Sequence, residues 1–191
     1  MIIGITGSSG SGKSTISKIL AQKYNAKIID ADEIARRLSM ENSKYINEIV
    51  SKFGEDIVDE AGNLNRKQLA EIIYSDENKR EVLNNCTFKY IVSKIKTEIQ
   101  NTINRDFIII DAPLLFESKL NEICDMVIGV ITKRKIQIDR IMKRDNINLE
   151  HAEKRIQSQK NNDFYIQNCD KIIENNGDIN IVKREIEKLE F

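Results

Sequence analysis

Residues Gly7-Ser8-Ser9-Gly10-Ser11-Gly12-Lys13-Ser14 follow the spacing G-x-x-x-x-G-K-[ST]. Glycines at these positions let the backbone approach an anion closely, and successive amides opening a helix can hold phosphate oxygens. Lys13 has the reach to neutralise the terminal phosphates of a nucleotide, and the Ser14 hydroxyl is a ligand type suited to Mg²⁺. Gly10, Ser11, Gly12, Lys13, Ser14 and Thr15 are therefore the expected nucleotide contacts. The octet sits where this chemistry needs it. Residues 1–6 form a β-branched run that reads as a buried strand, and Ile16, Ile19 and Leu20 recur at helical spacing behind it.

Two carboxylates stand where other apolar runs end. Asp32 lies in Asp30-Ala31-Asp32-Glu33-Ile34-Ala35-Arg36, which leaves one strand and enters a helix, with Arg36 one turn further on the same face. One reading makes Asp32 a helix cap with an ion pair. The other makes it a base that takes the proton of an attacking hydroxyl. Asp111 closes the most apolar run, residues 107–111, and is placed like a carboxylate that holds Mg²⁺ behind a phosphate loop. After it, Pro113 turns the chain out of the strand, sending Leu114, Leu115 and Phe116 toward the acceptor side or into the core. Gln137, Arg140 and Arg144 share one face of a basic helical stretch, and Arg155 lies on the next helix. Such a face is either a solvated surface or a lid that brings arginines onto transferring phosphates.

The elements that position these groups alternate. Strands are expected at residues 26–30, 107–111, 126–131 and 171–174 besides the first. Their apolar residues run continuously, which implies cover on both faces and a parallel sheet in an α/β fold. Ligands of such sheets bind beyond the carboxyl ends of the strands. That makes Thr6-Gly7, Asp30 to Asp32, Asp111 to Pro113 and Asn175 to Gly177 the places to look. The stretch from Asp32 to Arg105 is too long for one crossover. It reads as a helical insertion with helices near 43–53, 66–74 and 77–103, and Gly54 and Asn63 as breaks. Residues 133–160 read as a second insertion of two helices joined near residues 146–148.

The whole composition narrows the function classes. The 191 residues carry 30 basic and 30 acidic side chains, so net charge offers no bulk attraction to nucleic acid or an anionic membrane. No apolar run is long enough to span a bilayer, and the phosphate motif follows the first residues too closely for a signal peptide. Cys86, Cys124 and Cys169 are scattered, odd in number and without C-x-x-C, as in a reducing cytoplasm. His151 is the only histidine and lies among charged residues, which excludes a histidine-cluster metal site. A guanine-reading N-K-x-D is absent, the nearest string being Asn168-Cys169-Asp170-Lys171.

Taken together these segments resemble the dephospho-coenzyme A kinase family. The resemblance runs through Gly4 to Thr15, Asp30 to Arg36, Phe53-Gly54-Glu55-Asp56-Ile57, Gly62 to Leu69 and Asp111 to Glu117. It continues with Gln137, Arg140, Arg144, Arg155, Gln159 and Asn175-Asn176-Gly177. It implies a five-stranded parallel P-loop kinase core (residues 1–31, 106–132 and 161–191), a helical acceptor-binding insertion (32–105) and a helical lid (133–160). It also implies ATP-dependent phosphorylation of the ribose 3′-hydroxyl of dephospho-CoA, with Mg²⁺, in the cytoplasm, by a monomer or weak homo-oligomer. On this resemblance Lys13, Asp32, Arg140 and Arg144 carry catalysis, with Asp32 as base. Arg140, Asn175 and Gly177 join the loop around ATP. Thr6, Ser8, Asp32, Arg36, Leu115 and Arg155 bind the acceptor, and Ser14 and Asp111 hold the metal. One departure stands out: Phe88-Lys89 occupies a place where the family usually carries His-Pro, so the long helix there is expected to run unbroken. The rival readings are a small P-loop kinase for a nucleoside, nucleoside monophosphate or small alcohol, and a nucleotide-switch ATPase without an acceptor.

Overall fold

A computed structural model describes residues 1–40, 44–59, 62–74 and 76–189. In chain order the elements are β1 (Ile2–Thr6), α1 (Lys13–Tyr24), β2 (Lys27–Asp30), α2 (Ala31–Leu38), α3 (Lys44–Phe53), α4 (Arg66–Tyr74) and α5 (Glu77–Gln100). There follow β3 (Ile108–Asp111), β4 (Met126–Ile131), α6 (Arg134–Asp145), α7 (Leu149–Gln157), α8 (Asn162–Asn168), β5 (Lys171–Glu174) and α9 (Ile179–Glu187). The chain divides into two compact units, Met1–Ile29 with Thr102–Phe191, and Asp30–Asn101.

The first unit is built on a five-stranded sheet in the order β2-β3-β1-β4-β5. β1 pairs in parallel with β3 and β4, and β4 with β5. Every residue of β3 is buried, as a strand covered on both faces must be. On one face Ile16 and Leu20 of α1 and Val182 and Ile186 of α9 pack with Ile3, Ile5, Ile109, Ile128, Val130 and Ile173. Burying one such side chain contributes roughly 1.5–3 kcal/mol. The register brings Ile5 beside Asp111, Thr6 beside Gly129 and Ile131 beside Glu174. The segments that leave β1, β3, β4 and β5 therefore emerge along one edge of the sheet.

The second unit is helical. Tyr45, Ile46 and Ile49 of α3, Ile57, Leu69 of α4 and Cys86 of α5 form its core. Gly54 ends α3 at φ 88°, a conformation costly for other residues. α3 begins at Lys44; position 43, where a helix start was expected, lies outside the described residues. α5 runs unbroken through Phe88-Lys89 for 24 residues, started by the Asp76 carboxylate accepting from the Lys79 amide at 3.1 Å. Lys89 uses the position to bind α3: its Nζ and the Tyr90 hydroxyl both donate to Glu48 at 2.7 Å.

The expected strands and the helices of both insertions are present. The 77–103 helix stops at Gln100, because Asn101 closes it. The sequence reading did not anticipate α8 or α9. α9 has its signals nonetheless, an Asp178 cap and buried Val182 and Ile186 four residues apart.

Candidate active site

The phosphate motif forms the turn from β1 into α1. Gly7, Gly10 and Gly12 hold φ of 147°, 80° and 92°. Gly12 is needed for space as well as conformation, since a Cβ there would lie 2.1 Å from Asn175 Nδ2. Gly12 caps α1 without a side-chain acceptor, and no acidic residue stands in the first turn. The uncapped amides and helix dipole thus face the loop with net positive potential, which favours an anion. A cleft of 510 Å³ opens here, lined by Gly10, Gly12, Lys13, Ser14, Thr15, Arg140, Lys143 and Arg144. Four of those eight residues are cationic, a composition suited to polyphosphate.

The basic stretch is not a solvated face throughout. Lys133 and Lys135 are exposed, but Gln137 and Ile141 are buried. Gln137 Nε2 donates to Ser8 Oγ at 2.6 Å and to the Ser9 carbonyl at 2.7 Å. Arg140 Nη1 donates to the Gly10 and Ser11 carbonyls, each at 3.2 Å, and Nη2 to Asn175 Oδ1 at 3.3 Å. Burial lowers the Arg140 pKa from its ordinary value, yet an arginine keeps its charge under all such shifts. Arg144 Nη2 donates to Ser9 Oγ at 3.1 Å. Asp145 receives Arg144 and also pairs with Arg155, and the Arg144 hydrogen bonds pull its carboxyl below the usual range.

Asn175 follows β5 and is buried. Its Nδ2 donates to the Ser11 carbonyl at 2.8 Å, and its own carbonyl accepts from the Thr132 hydroxyl at 2.8 Å. Thr132 and Asn176 thus fasten the ends of β4 and β5 to each other, and Asn175 ties them to the loop. Gly177 stands in open space at φ 113°.

Asp111 is 3% exposed and accepts from Ser17 Oγ at 2.9 Å. Ser14, by contrast, is exposed. Three of the residues expected to contact the acceptor are buried in this structure. Leu115 is fully buried, against Gly4, so of its two possible places it takes the core. Thr6 is also fully buried, its Oγ1 directed at the Pro113 carbonyl 3.4 Å away, and Ser8 is buried with its hydroxyl held by Gln137.

In the second unit, Asp32 is exposed in the first turn of α2, and the cap is Asp30, whose Oδ1 accepts from the Glu33 amide at 3.0 Å. The capping role is thus already filled by the residue two positions earlier. Among the described residues no group of three His, Cys, Asp or Glu could hold a metal, and no helix is long and apolar enough to cross a membrane. The three cysteines are free thiols, with burial raising Cys124 and Cys169 to about 12. His151 is exposed on α7.

Sequence reasoning did not single out Ser17, Thr132, Lys143 or Asp145. Ser17 alone left a readable trace, one turn behind Ser14 on the buried face of α1. Gln159 was noticed only as part of a pattern, without a role.

A family profile described as Dephospho-CoA kinase matches residues 1–180. The chain belongs to the dephospho-CoA kinase family. The Dephospho-CoA kinase of Fusobacterium nucleatum is 42% identical over 188 residues, covering 98% of this chain and 96% of that protein. The Dephospho-CoA kinase of Staphylococcus epidermidis is 37% identical over 189 residues, covering 98% and 93%. Among solved structures, Dephospho-CoA kinase from Campylobacter jejuni superposes with a TM-score of 0.65 at 30% identity, covering 97% of this chain and 94% of that one. Shikimate kinase from Acinetobacter baumannii, at 17% identity, TM-score 0.54 and coverage of 97% and 89%, shares the fold. A dephospho-CoA kinase is therefore a P-loop kinase in architecture, with the parallel sheet and phosphate loop described above.

Proposed function

We propose that this chain transfers the γ-phosphoryl group of ATP to the ribose 3′-hydroxyl of dephospho-CoA, giving coenzyme A and ADP. The observation that carries the reading is the phosphate loop, fully shaped by glycine and flanked by four cations, in a chain of this family. Loop amides and Lys13 hold the donor phosphates. Arg140 and Arg144 line the same cleft and offset the charge that gathers on the phosphoryl group in transfer. Asp32 accepts the proton of the 3′-hydroxyl, and its exposed, non-capping place at the start of α2 supports that assignment. Arg36 and Arg155 are assigned to the acceptor. The helical unit of residues 32–105 is assigned to dephospho-CoA binding, and residues 133–160 to a lid that excludes water.

A hard divalent cation suits the oxygen-only pair of Ser14 and Asp111. When bound, Mg²⁺ would neutralise charge on the donor phosphates. Three free thiols fit a reducing cytoplasm.

The test is to incubate the purified protein with Mg·ATP and, separately, dephospho-CoA, adenosine, AMP, CMP and uridine, identifying products by mass. Dephospho-CoA should gain one phosphate on the 3′-oxygen and turn over far faster than adenosine, because its pyrophosphate and pantetheine arm supply remote binding energy. Faster phosphorylation of a nucleoside or monophosphate overturns the acceptor. No acceptor-dependent ADP with any of them favours the ATPase switch.

A further inference from the structure

The loop residue Ser9 is held at every polar group by side chains from the segment after β4. Its carbonyl accepts from Gln137, its hydroxyl from Arg144, and its amide donates to Gln159 Oε1 at 2.7 Å. Gln137 is buried on α6, whereas Gln159 lies just past α7 and is half-buried. The fit is close on the backbone as well, since a Cβ on Gly10 would come within 2.8 Å of the Gln137 carbonyl oxygen. The Ser11 amide is engaged inside the loop by the Ser8 carbonyl at 3.1 Å. Those of Gly10 and Gly12 have no acceptor among the described residues.

We propose that Gln137 and Gln159 are positioning residues for phosphate binding, clamping Ser8 and Ser9 so that the loop keeps its nucleotide-holding shape only while α6 is docked on it. The clamp withdraws the Ser9 amide from the ligand and leaves the later amides to meet phosphate. It also restrains a loop with three glycines at positive φ, whose backbone freedom otherwise favours many conformations. The two bonds have opposite directions, and the backbone fixes them. A carbonyl can only accept, so Gln137 must present its nitrogen; an amide can only donate, so Gln159 must present its oxygen. The proposal rests on the kinase reading for its catalytic consequence but not for its binding consequence.

The experiment uses this difference in direction. Binding of a non-hydrolysable ATP analogue with Mg²⁺ is measured by calorimetry for the unmodified protein, Gln137→Ala, Gln137→Glu, Gln159→Ala and Gln159→Glu. Thermal midpoints without nucleotide confirm folding. The two glutamates add the same charge near the same loop, so their difference reads hydrogen-bond direction. Gln137→Glu cannot donate and should bind about tenfold more weakly or worse, as should both alanines. Gln159→Glu still accepts from Ser9 and should recover most of what Gln159→Ala loses. In turnover the ATP KM should rise in step while the dephospho-CoA KM stays put. Unchanged binding in the alanine variants, or equal loss in the two glutamates, overturns the clamp. If the Gln137 variants do not fold, the Gln159 pair decides alone: the clamp fails if alanine binds normally or glutamate gives no recovery. Because the analogue needs no acceptor, a protein that binds it but leaves dephospho-CoA unmodified overturns the kinase reading and leaves the clamp standing.

Discussion

Ser17 of α1 donates its hydroxyl to Asp111 Oδ2 at the end of β3, across 2.9 Å, and both residues are almost wholly buried. The same hydroxyl lies 3.1 Å from the Lys13 carbonyl. One side chain therefore joins the turn that carries Lys13, proposed to hold phosphate, to the carboxylate proposed to hold the metal. A hydrogen bond to a buried charged group contributes about 1.5–3 kcal/mol. Ser17→Ala should lose stability of that order in urea unfolding. Asp111→Asn should instead raise the Mg²⁺ concentration needed for half-maximal turnover. If Asp111→Asn leaves that concentration unchanged, the carboxylate serves only the packing of α1 on β3.

Lys13 lines the cleft at the start of α1, where the helix has no capping side chain. Lys13→Ala should lower kcat by roughly 10²–10³, the scale of losing one preorganised electrostatic partner of a transition state. Mg·ATP should raise the thermal midpoint of the unmodified protein by binding only the folded chain. The variant should fold normally and show a smaller rise. Near-normal kcat would remove Lys13 from the chemistry.

Asp30 caps α2, and Asp32, two residues on, is the proposed base. Asp30→Ala removes the acceptor for the Glu33 amide and should cost about 1 kcal/mol of stability. Asp32→Asn leaves that cap intact at an exposed site, so stability should change by no more than about 0.5 kcal/mol. Its kcat should fall by roughly 10²–10⁴ with ATP affinity preserved. Full activity in Asp32→Asn would return the proton to another acceptor.

These residues also show what could be read from sequence. The loop, the strands and the long α5 were legible because glycine spacing, continuous apolar runs and helical periodicity are local properties. Asp30 and Asp32 were not separable, because either could cap a helix starting one or two residues later. Leu115 could not be assigned to core or acceptor side, since that depends on its approach to Gly4, more than a hundred residues away. The same is true of Gln137. It sat on a face whose charges suggested a lid, but its buried donation to Ser8 and Ser9 exists only once α6 meets the loop. Thr132 escaped notice because the bond it makes, to the Asn175 carbonyl, lies across two strands.

Asp145 gives the last prediction, in acid. It closes α6, where a carboxylate is disfavoured by the helix dipole, and is stabilised there by Arg144 at 2.8 Å and by Arg155. The Arg144 hydrogen bonds hold its pKa below the ordinary 3.8. A carboxyl whose pKa is lower folded than unfolded binds fewer protons in the native state. Its contribution is complete above the unfolded value and disappears as pH falls through the folded one. The thermal midpoint should therefore be insensitive to Asp145 protonation near neutral pH, and this contribution should fade only below about pH 4. Asp145→Asn removes the charge at every pH. At pH 7 it should cost less than about 1 kcal/mol, because the pair with Arg144 is partly solvent-exposed. In acid the two proteins should converge, since the unmodified chain has then lost the same charge. A gap between the two midpoints that does not narrow as pH falls would assign the acid sensitivity to other carboxylates.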